Sequence, residues 1–126
     1  MKILSPKTVA APGGPYVHGM IIDPGRTWLS VSGQVGTKPD GSVAEGIVEQ
    51  TRTAWTNLTE ILKEGGMEIR DIVKVTSFLT SADFIGDYGR TRAEFLGDFR
   101  PTSTLLVVAG LASPEFLVEV EVLAAR

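Results

Sequence analysis

The 126-residue sequence contains no cysteine and a single histidine, His18. It therefore has no disulfide frame and no thiolate chemistry, and it lacks the three or four His or Cys ligands a zinc site usually draws on. No metal or cofactor is expected. Basic clusters are missing too. Twelve Lys and Arg stand against 15 Asp and Glu, the net charge is -3, and the basic residues are scattered. Phosphate binding needs Lys and Arg grouped together, so the composition speaks against a nucleic-acid partner. No apolar run is long enough for a signal peptide or a spanning helix. The expectation is a soluble, cytoplasmic protein with no membrane partner. No linker, repeat or low-complexity tract divides the chain, so residues 1–126 are expected to form one domain. Its apolar content of 43% is enough for a core.

Against these absences, the stretch from Arg100 to Leu111 stands out. Pro101 blocks helix continuation. Thr102, Ser103 and Thr104 follow, then an apolar run from Leu105 to Ala109. An unbroken apolar run after a turn signal predicts a strand buried on both faces. Three hydroxyls in a row are costly in a core unless each finds a partner. They either bond to local backbone at a sheet end or line a polar pocket.

The other elements follow from periodicity. Ala10 to Tyr16 is a loop shaped by Pro and Gly, with Tyr16 offering a packing ring and a hydroxyl. Val17–Ile22 predicts a strand, ended by the Asp23-Pro24-Gly25-Arg26 turn. Trp28–Ser32 alternates with period two and predicts its hairpin partner, with Trp28 as a packing residue. Gly33, following a strand, marks a bulge or a close approach of backbone. Gly46–Leu62 carries Ile47, Thr51, Ala54, Leu58 and Leu62 on one helical face, with Gly65-Gly66 as a left-handed stop. Ile72–Leu79 is rich in β-branched residues and predicts a strand. Ser81 or Asp83 caps a second helix, in which Phe84, Tyr88, Arg92, Phe95 and Phe99 recur at helical spacing. Gly86 and Gly89 predict irregular first turns. In Phe116–Leu123, Glu119 and Glu121 share one face with Leu117 and Leu123, opposite Val118, Val120 and Val122.

Two strand–helix–strand units predict an α/β (α+β) domain, one mixed sheet with both helices on one face. No helix remains for the second face. The Leu105–Val108 strand is apolar on both sides, so a partner subunit is the simplest cover.

Several segments, in order, carry a resemblance that runs nearly end to end. They are Gly14-Pro15-Tyr16, Val31-Ser32-Gly33-Gln34, Gln50, Asn57-Leu58, Val73-Lys74-Val75-Thr76, Asp83-Phe84, the Pro101 strand and Val118-Glu119-Val120-Glu121. The sequence is similar to the RidA/YjgF family of reactive-intermediate (enamine/imine) deaminases. The resemblance implies a chorismate-mutase-like fold and a homotrimer with small-molecule clefts between subunits. In active family deaminases a Pro-x-Arg-Ser motif supplies an Arg for the substrate carboxylate. Here the motif reads Pro101-Thr102-Ser103-Thr104, with Ser103 at the Arg position. Tyr88 stands where active members often carry Asn, while the Tyr and Glu positions are kept as Tyr16 and Glu119.

Two functional classes follow. In the enzyme, Glu119 is the candidate general acid/base, the Gly33 backbone N–H orients the ligand and Tyr16 bounds the pocket. Ser103 and Thr104 bind a neutral polar group, and Tyr88 fills or flanks the cleft. A hydroxyl does not replace a guanidinium fork, so turnover of carboxylate-bearing imines is expected to be weak. The other class is a non-catalytic trimer that binds a small metabolite. An endoribonuclease or translation inhibitor, activities also linked with the family, ranks third.

Overall fold

The computed structural model describes residues 1–126. Strands β1 (Lys2–Leu4), β2 (Gly19–Ile21) and β3 (Trp28–Val35) precede helix α1 (Gly46–Glu64). Strand β4 (Ile72–Leu79), helix α2 (Ile85–Leu96) and strands β5 (Thr102–Val107) and β6 (Val118–Ala125) follow. The main sheet is mixed, in the order β3-β6-β4-β5. β6 runs antiparallel to both neighbours, and β4 and β5 are parallel.

The alternation of β6 decides which side becomes core. Val118, Val120, Val122 and Ala124 are buried together with Val75 and Leu79 of β4. The α1 stripe of Ile47, Trp55, Leu58 and Leu62 closes over them. A fully buried side chain of this size contributes about 1.5–3 kcal/mol, so this stripe, more than helix propensity, holds α1 in place. Trp55 stacks against Phe95 at 6.0 Å between ring centres and joins α1 to α2. The Gln50 amide donates to the Glu115 carbonyl at 2.9 Å and accepts from the Leu117 N–H at 2.8 Å, clasping the approach to β6. The Asn57 amide donates to the Thr37 carbonyl at 2.9 Å.

Local signals behave as the sequence predicts at several points. Gly66 takes φ +72° at the end of α1. The Ser81 hydroxyl accepts from the Asp83 N–H, and a 3-10 turn at Ala82–Phe84 leads into α2, which is regular through Gly86 and Gly89 against the expectation of irregular first turns there. β3 carries a register shift between Val31 and Gln34, around Gly33.

Three other expectations need correction. Val17–Ile22 and Trp28–Ser32 do not pair. β2 instead joins β1 in a separate two-stranded sheet, while β3 pairs with β6. The turn at Asp23–Arg26 redirects the chain, and Asp23 is held by the terminal ammonium at 2.8 Å and by Arg26 at 3.1 Å. Trp28 is 53% exposed and packs into no core of this chain. β5 is not buried on both faces. It is the sheet edge, with Leu106 and Val107 exposed by 43% and 49%.

Both helices lie on one sheet face. The other carries Ser30 of β3, Glu119, Glu121 and Leu123 of β6, Lys74, Thr76 and Phe78 of β4, and Thr104 and Leu106 of β5. No helix of the chain is long and apolar enough to cross a membrane.

Candidate functional site

The hydroxyl run at the start of β5 divides its roles. Thr102 donates to the Val73 carbonyl, so it serves the backbone. Thr104 points to the open face and accepts from the Lys74 ammonium at 2.5 Å. Ser103 points the other way, between β5 and α2. There it lines a cleft of about 270 Å³ with Tyr16, Tyr88, Arg92 and the Gly13-Gly14-Pro15 loop. The loop is fastened by the Val17 N–H, which donates to the Pro101 carbonyl at 3.1 Å. The half-buried Tyr16 hydroxyl accepts from the Gly13 N–H at 3.3 Å.

Tyr88 forms the inner wall. It is fully buried and its hydroxyl is bonded to that of Ser77. Burial pushes the phenol pKa up, because a phenolate would have to leave water. The Ser77 hydroxyl and the nearby Arg92 charge pull more weakly in the other direction. Arg92 lies one helical turn later, with its guanidinium carbon 5.4 Å from the centre of the Tyr88 ring. Neither Arg92 nor the Trp55 indole makes a hydrogen bond of ordinary geometry there, and both Arg92 Nε and Trp55 Nε1 are buried without an acceptor.

Glu119 belongs to the opposite side of the sheet, level with Phe78 of β4. Its side chain lies directly over Gly33. A β-carbon on residue 33 would stand 2.7 Å from Glu119 Cδ and 3.0 Å from Oε2. This is the close backbone approach that a glycine permits. The bulge around Gly33 and the alternation of β6 thus bring these two groups together.

The sequence matches the family described as Endoribonuclease L-PSP over residues 7–126. The mouse protein named 2-iminobutanoate/2-iminopropanoate deaminase is 32% identical over 127 residues, covering 99% of this chain and 91% of its own. The chain belongs to the RidA/YjgF family. Among solved structures, the Yersinia pestis protein YyfB, described as of unknown function and of the conserved Rid family, aligns with a TM-score of 0.87. It is 25% identical, covering 99% of this chain and 98% of that one. Escherichia coli TdcF with bound serine aligns at 0.75 and 27% identity, over 100% and 99% of the two chains.

In this RidA-family chain the six candidate residues fall into two groups. Tyr16, Tyr88 and Ser103 share the cleft beside α2. Gly33, Glu119 and Thr104 lie on the open sheet face, Gly33 against Glu119 and Thr104 beside Lys74. Within one chain the two groups do not meet. Arg100, near in sequence, is turned away and donates to the Gly97 and Phe99 carbonyls. No group of three or more His, Asp or Glu side chains converges as a metal site would require. The sequence reading placed Arg92 on the helix stripe without giving it a role. The signal available was its position, one turn from Tyr88 on the buried side of α2, where a charge needs a purpose.

Proposed function

We propose that this protein is a hydrolytic deaminase of small, reactive imines and enamines, working as a homotrimer with its clefts between subunits. The reading rests on Glu119, a carboxylate on an open sheet face pressed against the Gly33 backbone, with no hydrogen-bonding partner within the chain. A base positioned against fixed backbone is suited to hold and deprotonate water. Glu119 takes a proton from water as the oxygen bonds to the imine carbon, and passes it to the imine nitrogen. The carbinolamine then collapses: Glu119 takes the hydroxyl proton and gives it to the nitrogen, the carbon–nitrogen bond breaks, ammonia leaves and a carbonyl forms. The 32% identity with a mouse protein named as such a deaminase supports the reaction class.

The homotrimer is supported by the same division of residues. The cleft with Tyr16 and Ser103 and the face with Glu119 lie on opposite sides of one sheet. A second copy, packed by its open face near the β5 edge of the first, would join the two halves. The exposed Leu106, Val107, Leu123 and Trp28 supply apolar area for that contact. A ligand the size of an amino acid suits the cleft, and the similar TdcF structure carries serine.

An endoribonuclease is less well supported. Six of the seven arginines are engaged by acids or carbonyls, and the one histidine donates to the Ala10 carbonyl at 2.7 Å.

The test is ammonia release from freshly generated 2-iminobutanoate and from an uncharged imine, with wild type and Glu119→Gln. Loss of a general acid/base is expected to lower the rate by about 10²–10⁴-fold. Wild-type protein that binds the product ketone yet releases no ammonia above background would replace the enzyme with a binding protein.

A further inference from the structure

Arg92 is the one arginine of seven that has neither a hydrogen bond of ordinary geometry nor an ion pair. Arg26, Arg52, Arg70 and Arg90 meet acids, and Arg100 and Arg126 meet backbone carbonyls. Three buried side-chain polar atoms in the chain lack a partner, and Arg92 Nε is the charged one among them. Arg92 is half-buried, and its Nε is withdrawn from water without an acceptor, which is costly for a charged group. Stacking on the Tyr88 ring recovers part of that cost but satisfies no N–H.

The surroundings indicate what is missing. Arg92 opens into the cleft that holds Ser103 and Tyr16, and no acidic side chain lines that cleft. Gly89, beside Tyr88 on α2, leaves the wall clear, since a β-carbon there would meet nothing within 4 Å. The Ser103 hydroxyl makes no hydrogen bond within the chain, so it is also available to a ligand in the cleft it lines. A fixed fork of N–H donors, a free hydroxyl and about 270 Å³ of space match a small carboxylate, which takes two parallel hydrogen bonds from such a fork.

We infer that Arg92 is the anion anchor of this cleft and that the ligand is a small monocarboxylate. Arg92 reaches in from α2 and supplies the charge that Ser103 on β5 lacks. This deepens the deaminase reading of the same site, because it assigns that enzyme 2-imino acids. It also reverses the expectation, drawn from Ser103 alone, that carboxylate-bearing substrates are poor ones.

The test is titration calorimetry with pyruvate and its neutral counterpart pyruvamide. Wild type should bind pyruvate more tightly. Arg92→Gln should weaken pyruvate by about ten- to a hundredfold and leave pyruvamide nearly unchanged. Arg92→Lys should fall between, keeping the charge and losing the fork. Ser103→Asp guards against a misfolded Arg92 variant: an internal carboxylate beside the guanidinium should abolish pyruvate binding and raise the melting temperature. Equal binding of the two probes by wild type, or unchanged pyruvate binding in Arg92→Gln, overturns the anchor. The readout is binding, not turnover. Charge-selective binding without ammonia release keeps the anchor and removes the deaminase. Ammonia release from 2-iminobutanoate that is indifferent to Arg92→Gln keeps the deaminase and removes the anchor.

Discussion

Gly33 and Glu119 are packed so that one added methyl group on residue 33 would stand 2.7 Å from the Glu119 carboxyl carbon. The obstructing atoms belong to a side chain at the open sheet face, not to backbone. In Gly33→Ala the carboxylate should therefore move while the sheet stays, at a cost of about 1 kcal/mol or less. If Glu119 does the chemistry, a displaced carboxylate costs about ten- to a hundredfold in rate. Gly36→Ala is the contrasting case. Its methyl would lie 2.7 Å from Gln50 Cα, so the α1 backbone itself must give way, at about 1–3 kcal/mol. Melting curves and ammonia release on both variants check the pair. Equal stability losses would remove the distinction.

The buried Tyr88–Ser77 hydroxyl pair should behave cooperatively. Tyr88→Phe leaves the buried Ser77 hydroxyl without a partner and should cost about 1–3 kcal/mol. Adding Ser77→Ala should recover much of that loss, because no unpaired group then remains. A double-mutant cycle from urea unfolding measures the coupling. Additive losses would mean that the hydroxyls contribute independently.

Leu106 of β5 is exposed on the open face, level with Phe78. Placing a charge there opposes any apolar contact between copies. Leu106→Glu is expected to turn the proposed trimer into monomers in sedimentation equilibrium at micromolar concentration, with the far-ultraviolet spectrum of the monomer unchanged. A wild-type monomer would defeat the trimer directly.

Arg52 forks onto Glu94, with nitrogen–oxygen distances of 3.1 and 2.9 Å, and so ties α1 to α2. Hydrogen bonds from Arg52 hold the Glu94 carboxyl below its ordinary pKa. A carboxyl lowered in the folded state contributes stability above its unfolded value and loses it as pH falls through the folded one. Glu94→Gln should thus flatten the acid limb of melting temperature against pH and leave the neutral region little changed, since both side chains are well exposed. An identical acid limb in the variant would place the acid sensitivity elsewhere.

The parts of the fold that were legible in the sequence are those with a strong local period. Ile72–Leu79 and the two-faced alternation of β6 are set by side chains two residues apart, and α1 by an apolar stripe that repeats each turn. Pairing was harder to read. β1 is three residues long, and its partner lies beyond the Pro- and Gly-rich loop, so no local pattern announces it. The mistaken β2–β3 hairpin came from a turn signal that was real but fed a different sheet. The site was legible as residue types and not as sides. Ser103 and Thr104 are neighbours in sequence, yet the pleat sends them to opposite faces. Arg92 falls on the same helical stripe as Tyr88 and Phe95, and spacing puts a side chain on a face without assigning it a ligand.

β6 follows every other strand in the sequence and yet lies inside the sheet, between β3 and β4. Until it docks, β3 has no neighbour in the main sheet, and β4 and β5 form only a two-stranded ribbon. Such pairings across long sequence separations close large loops, and loop closure slows folding. A nascent chain on the ribosome would thus hold α1 and β4 with their apolar sides uncovered until Val118–Ala125 emerges. Chaperone demand during synthesis should accordingly persist until β6 has emerged and end abruptly when it inserts.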